Sequence, residues 1–114
     1  MSLEINSRQN GDVTILDLSG RMTLGDATTH LRDKIRELVQ EGRNKILLNM
    51  AQVSYIDSGG LGELTASHAT ISRAGGQLKL LSLSDKIHGL MQITKLTTVF
   101  DIFEVEAYAV LSFG

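Results

Sequence analysis

The alternation of strand-like and helix-like apolar patterns constrains the fold of this chain most. In residues 3–18, two runs of alternating apolar and polar side chains flank Asn10-Gly11-Asp12, which predicts two strands joined by a tight turn. Between Leu24 and Val39, apolar residues recur every three or four positions, which predicts an amphipathic helix, and Gly42 suits its C-terminal cap. The apolar run Ile46-Leu47-Leu48 then predicts a central strand covered on at least one face.

The same alternation continues to the C-terminus. Two strands followed by alternating helices and strands imply a mixed β-sheet with helices packed against it, which is the α/β class. At 114 residues, the chain fits a single domain over residues 1–114. The later predicted elements are a second helix that ends at Gly75-Gly76, a strand over 77–82 with Leu78 and Leu80 on one face and Leu81 on the other, a third helix capped by Ser84-Asp85, a last strand over 99–103, and a terminal helix over 105–110.

Composition excludes several classes of function. Hydrophobic residues make up 42% and charged residues 21% of the chain, the balance of a folded soluble domain. The net charge of −2 offers no basic face for nucleic acid, and no cysteine is present for disulfides or thiolate metal sites. The apolar runs are far shorter than the roughly 20 residues that span a bilayer, and no signal-peptide pattern opens the chain. We therefore expect a cytoplasmic protein with no cofactor, no direct nucleic-acid contact and no membrane insertion.

The run from Tyr55 to Gly62 has the pattern of a turn that feeds a helix N-terminus. Asp57 and Ser58 are both good N-cap residues, because a short side-chain oxygen can accept from a backbone N–H of the first helical turn. Gly59 and Gly60 leave those amides uncovered. A phosphate on Ser58 would lie at the positive end of the helix dipole. A simple helix cap is the alternative interpretation of the same residues.

No enzyme signature accompanies this turn. Ser58 lacks the G-x-S-x-G elbow, no Lys follows Gly62 as a phosphate-binding P-loop requires, and no G-x-G-x-x-G occurs. Glu63 could complement the helix dipole, and its charge would oppose a bound phosphate. The histidines lack metal-site spacing, and we expect His68 to be a partly buried packing residue. The sequence therefore indicates no catalytic residue and no metal site.

The motif resembles the signature of STAS domains, the family of bacterial anti-sigma factor antagonists and of the cytoplasmic tails of sulfate transporters. In phosphorylated antagonists the signature runs Asp-Ser-Ser/Thr-Gly-Leu-Gly, and the phospho-acceptor serine matches Ser58. The likeness extends to residues 47–54, to the run 75–80 and to the apolar positions of 90–100, and thus covers nearly the whole chain. It implies a small mixed sheet with helices largely on one side, in agreement with the periodicity.

The resemblance also implies a mechanism for this chain. An unmodified antagonist binds an anti-sigma factor that is also a serine kinase and so releases the sigma factor; the kinase then phosphorylates the serine and ends the complex. Here Ser58 would be the acceptor and Asp57 would orient the turn. The contact itself would be shaped by Gly59, Gly60 and Leu61.

Two positions depart from the family pattern. Gly59 stands where many phosphorylated members have a second Ser or Thr. We expect Gly20 to close the second strand. Many antagonists have an acid directly after this glycine and another two positions later, where this chain has Arg21 and Thr23. The loop that contains them lies beside the serine turn in the family, so both are assigned to the partner surface, although Thr23 also suits the N-cap of the first helix.

Two other functions remain open at this stage. One is a STAS scaffold or accessory subunit of a regulatory or transport complex that binds its partner without phosphorylation. The other is a module that binds a small ligand such as a nucleotide or lipid. Association into oligomers through a sheet edge or exposed helices is also left open.

Overall fold

The computed structural model of the protein describes residues 3–114. Strands and helices alternate through most of that range after an initial pair of strands. The elements are β1 (Leu3–Asn10), β2 (Val13–Met22), α1 (Asp26–Gln40), β3 (Lys45–Ile56), α2 (Ser58–Arg73), β4 (Gln77–Leu81), α3 (Asp85–Ile93), a single 3₁₀ turn (Leu96–Thr98), β5 (Ile102–Phe103) and α4 (Glu106–Leu111).

The five strands form one mixed sheet in the order β1-β2-β3-β4-β5. β1 and β2 are antiparallel and are joined by the predicted tight turn, where Gly11 has a φ of 63° that suits a residue without a side chain. The remaining neighbours are parallel. The predicted α/β class and the central position of the strand that contains Ile46-Leu47-Leu48 are confirmed.

Helices α1, α2 and α3 cover one face of the sheet, and α4 covers part of the other. The main core joins apolar side chains of the first three helices to one set of strand residues, including Leu78 and Leu80. Leu81 belongs to the smaller core on the opposite face, together with Ala109 and Phe113. The predicted alternation of β4 and the placement of helices mainly on one face are therefore confirmed.

Polar contacts also hold α4 on its face of the sheet. Arg8 on β1 donates to Asp17 on β2 at 2.7 Å and to Glu106 on α4 at 2.6 Å. From β4, buried Lys79 donates through Nζ to the carbonyl and the hydroxyl oxygens of Ser112, each at 3.0 Å. Within residues 3–114, no helix has both the length and the apolarity to cross a bilayer.

Helix α1 begins later than the sequence predicts. Its N-cap is Gly25, with a φ of 120°, and the Thr28 hydroxyl accepts from the Gly25 N–H at 3.1 Å. The prediction that Thr23 caps this helix is therefore wrong, because the chain makes two further residues of loop before it turns. At the other end, the Gly42 N–H donates to Val39 and the next N–H donates to Leu38, a Schellman arrangement that confirms Gly42 as the C-terminal stop.

Three strand boundaries also differ from the predictions. β2 does not close at Gly20, whose φ of 110° marks a register shift against β3, and the strand continues to Met22. β3 extends from Lys45 to Ile56, well beyond the apolar run Ile46-Leu47-Leu48 on which its prediction rested. The predicted last strand is reduced to Ile102–Phe103, because the 3₁₀ turn precedes it and Phe100 is buried in the main core instead.

Candidate functional site

Asp57 connects the start of α2 to the β2–α1 loop. As the N-cap of α2, it accepts through Oδ1 from the Gly60 N–H at 2.8 Å. Its two carboxylate oxygens also accept from the Leu24 N–H at 3.2 and 3.1 Å, across 33 positions of sequence. These backbone donors, the Gly60 N–H first and the Leu24 N–H next, hold the pKa of Asp57 below its usual value. One ionised side chain thus sets the geometry of the turn and of the loop beside it.

Ser58 is the first residue of α2, and its side chain is exposed. Since Asp57 provides the N-cap, the hydroxyl of Ser58 is not needed for that role, and it forms no hydrogen bond among the described residues. Of the two cap candidates, the structure selects Asp57. Ser58 therefore lies on a turn whose cap its own hydroxyl does not form.

The two glycines after Ser58 allow the turn to lie against the neighbouring loop and strand. A Cβ on Gly59 would fall 2.5 Å from the Cβ of Leu24. A Cβ on Gly60 would meet the backbone oxygen of Met22 and lie 2.7 Å from Cγ1 of Ile56. Because Leu24 fills the space at Gly59, a second Ser or Thr would not fit at that position without moving the β2–α1 loop.

The other predicted site residues lie in two environments. Leu61 is buried, and its side chain belongs to the main core that lies between the helices and the sheet. Arg21 is exposed near the end of β2, where its guanidinium lies 4.5 Å from the ring centroid of Tyr55, its neighbour in β3. Thr23 is half-buried in the loop between them and α1. The structure therefore brings Arg21, Thr23 and the Ser58 turn to the same end of the sheet.

Three apolar side chains near this turn are exposed, and the sequence patterns did not predict their exposure. Leu24 is 75% exposed, although its spacing suggested the buried stripe of α1. Tyr55 is 36% exposed directly before the turn, and Ile93, at the end of α3, is 80% exposed. An apolar groove of about 320 Å³ runs between Tyr55–Ile56 and α3. No local signal distinguishes these residues from core residues, because their exposure depends on how α3 and the loop pack.

Glu63 and His68 have structural partners in the helical layer. The Glu63 carboxylate is buried and accepts from Nη2 of Arg32 on α1 at 2.7 Å, so it joins the two helices instead of complementing the first turn of α2. His68 is half-buried and its ring packs edge-on against Phe100, with centroids 5.1 Å apart. The prediction that His68 is a packing residue is confirmed. No cluster of His, Asp or Glu suited to a metal ion occurs within residues 3–114.

The fold and this turn define the chain as a STAS domain. The family model described as STAS domain matches residues 4–109, and the chain therefore belongs to that family. It is 30% identical over 102 residues to the anti-sigma-B factor antagonist of Bacillus subtilis strain 168, which covers 90% of this chain and 92% of that protein.

Two solved structures are similar over nearly their full lengths. The Thermotoga maritima protein TM1081 superposes with a TM-score of 0.82 at 26% identity, over 96% of this chain and 93% of that one. The Bacillus cell-fate determinant SpoIIAA in its phosphorylated form gives a TM-score of 0.72, over 94% of this chain and 96% of that one. The identity to SpoIIAA is 20%, so that likeness concerns the fold alone.

Proposed function

We propose that this protein is an anti-sigma factor antagonist of a partner-switching pathway in the cytoplasm, with Ser58 as its phosphorylation site. The observation that carries the proposal is the Ser58 hydroxyl, which is exposed on a turn held by Asp57 and has no hydrogen-bond partner within residues 3–114. Membership of the STAS family and the similarity to an anti-sigma-B factor antagonist support it. The chain would be the substrate of a serine kinase, and not itself an enzyme.

Phosphorylation would act on binding without changing the fold. Since the Ser58 hydroxyl has no partner within the described residues, modifying it breaks no contact there. A phosphate adds a charge of about −1.5 to −2 at neutral pH, and burying it against a partner without matching cations is costly. A loss of ~3 kcal/mol in binding free energy would weaken the complex more than a hundredfold.

The partner would be an anti-sigma factor that is also the serine kinase. Its contact surface on this chain would consist of the Ser58 turn and the β2–α1 loop, which Asp57 holds together. Leu24 supports this assignment, because a leucine that is 75% exposed beside the modifiable serine is a typical interface residue. Gly59 and Gly60 would shape this surface indirectly, because they let the turn pack closely against Leu24 and Met22.

The test compares tagged wild-type protein with Ser58→Glu as baits in lysate of the source organism. Ser72→Glu is the matched control, since Ser72 is also exposed on α2 but lies at the opposite end of the helix. We expect wild type and Ser72→Glu to capture an anti-sigma kinase that Ser58→Glu loses. Mass spectrometry should find phosphate on Ser58 in the wild-type protein. The corresponding peptide of Ser58→Ala should carry no phosphate.

The alternative function is a STAS scaffold or accessory subunit that binds through the same face without phosphorylation. In that case the three baits would capture the same proteins and Ser58 would stay unmodified. Such a result would refute partner switching and favour the scaffold.

A further inference from the structure

We propose that the groove between β3 and α3 receives a segment of the partner protein that combines an apolar side chain with a carboxylate, and that Arg21 and Lys86 bind the carboxylate. The identity of the partner rests on the proposed function, whereas the binding chemistry rests on the groove itself. The groove has a volume of about 320 Å³, and its lining includes Tyr55 and Ile56 of β3 and Lys86, Ile87, Leu90 and Ile93 of α3.

The floor of this groove is apolar and one wall is exposed. Ile56 and Ile87 are buried at its base, and Leu90 is half-buried beside them. Ile93 is 80% exposed, so its side chain faces water unless another molecule covers it. A β-branched aliphatic residue left this exposed beside an apolar groove is typical of a surface that a partner covers.

Two cations lie near the ring of Tyr55: Lys86 lines the groove, and Arg21 lies beside Tyr55 on the neighbouring strand β2. The Arg21 guanidinium lies 4.5 Å and the Lys86 Nζ 5.8 Å from the ring centroid of Tyr55, on which both are held by cation–π attraction. Among the described residues, neither side chain forms an ion pair with a carboxylate. The one acid on the groove is Asp85, which begins α3 and complements the helix dipole there. The end of the groove at Tyr55 therefore favours an anion.

The shape of the groove favours a protein segment over a small molecule. Small-ligand sites usually bury about 70–90% of the ligand, whereas this groove is partly open to solvent, with Ile93 at its edge 80% exposed. An apolar side chain could fill the groove while the backbone that carries it stays outside. A neighbouring carboxylate on the same segment would then meet Arg21 and Lys86, which matches the charge of this surface.

The groove is continuous with the phosphorylation turn. Tyr55 and Ile56 line the groove, and Asp57 and Ser58 follow them directly in the chain. A partner seated in the groove would therefore also lie against Ser58. Because Arg21 is a cation without an ion-pair partner among the described residues, the partner residue that meets it would be acidic.

The experiment is an NMR titration of the ¹⁵N-labelled full chain with two short amphipathic peptides. The peptides share one apolar face and differ only in carrying Glu or Lys beside it. We expect the acidic peptide to shift the amides of Tyr55, Lys86, Gly89 and Ile93 and to bind about tenfold more tightly than the basic one.

Charge-reversal variants test the role of the cations. The double variant Arg21→Glu with Lys86→Glu should lose the preference for the acidic peptide, whereas Arg73→Glu, an exposed cation outside the groove, should keep it. Ile93→Ala should weaken both peptides. Equal affinity for the two peptides, no binding of either, or shifts located elsewhere would overturn the proposal.

Other occupants give distinct results. If decanoate binds more tightly than the acidic peptide, the groove is a small-molecule site. If the same amides shift with protein concentration in the absence of peptide, the groove is a contact between two copies of the chain. Either result overturns the proposal. Ser58→Ala should bind the acidic peptide as wild type does. Peptide binding with no phosphate found on Ser58 in cells would refute the proposed function and leave the groove assignment standing.

Discussion

Gly60 and Gly62 lie two positions apart in α2 but have opposite surroundings, so the same substitution should have opposite effects. A Cβ at Gly60 would overlap the Met22 backbone oxygen and crowd Cγ1 of Ile56 at 2.7 Å, whereas a Cβ at Gly62 would meet no atom within 4 Å. The Met22 oxygen cannot move aside as a side chain would, since it belongs to β2 and also accepts from the Asp57 N–H at 3.3 Å. Relief of the overlap would require the start of α2 to shift.

The size of both effects follows from these contacts. Replacing glycine by alanine inside a helix gains about 0.8–1.0 kcal/mol from propensity, and Gly62→Ala should gain close to that amount. Overpacking of a core contact costs about 1–3 kcal/mol, and backbone overlap belongs at the upper end of that range. Gly60→Ala should therefore lose about 1–2 kcal/mol of unfolding free energy in spite of the better helix former.

Far-ultraviolet circular dichroism measures both changes, with urea unfolding for the free energy and thermal unfolding for the Tm. At this chain length we expect the Tm of Gly60→Ala to fall by roughly 4–8 °C and that of Gly62→Ala to rise by roughly 2–4 °C. The reasoning would be refuted if both variants were stabilised, or if both lost the same free energy, because the close approach of α2 to β2 would then have no energetic consequence.

Further predictions concern acid stability, α4 and the difference between core and surface. Because the pKa of Asp57 is lowered in the folded state, its stabilisation is complete above the unfolded pKa and is lost as pH falls through the folded value. The urea midpoint should therefore fall less between about pH 7 and about pH 3 in Asp57→Asn than in wild type. Lys79→Met removes the anchor to Ser112, so α4 amides should exchange about tenfold faster while α2 amides keep their rates. Leu64→Ala, at a fully buried position, should cost about 2–5 kcal/mol, whereas Ile93→Ala should change stability by less than about 0.5 kcal/mol in the same urea assay.

The features that could be predicted from the sequence are those encoded over a few neighbouring residues. Gly11 between two alternating runs indicates the hairpin, and Gly42 after an apolar stripe indicates where α1 ends. Ser84 before the third helical pattern is its N-cap in the structure, where its hydroxyl accepts from the Ile87 N–H at 3.2 Å. Each of these signals depends on backbone conformations or caps within one turn, so no tertiary contact is needed to interpret them.

The start of α1 and the last strand were mispredicted because tertiary contacts overrule local pattern there. Leu24 has the spacing of a buried helical residue, yet its N–H donates to Asp57 and its side chain lies over Gly59 outside the helix. Phe100 has the character of a strand residue, yet it packs against His68 of α2. In both cases the contacting residue is more than thirty positions away in the sequence. Local hydrophobic periodicity cannot predict such a contact.

The sequence by itself determined the mixed α/β fold and the turn that presents Ser58, because alternation, glycine placement and capping residues act locally. Only the tertiary structure decided that Asp57 provides the cap, so that the serine hydroxyl is not needed for it, and that Leu24 lies where a second hydroxyl residue would have to fit. It also decided that Arg21 and Lys86 meet on Tyr55. These arrangements depend on strand register and helix packing. Both bring together residues that are distant in the sequence, so the local sequence around each residue does not predict the contact.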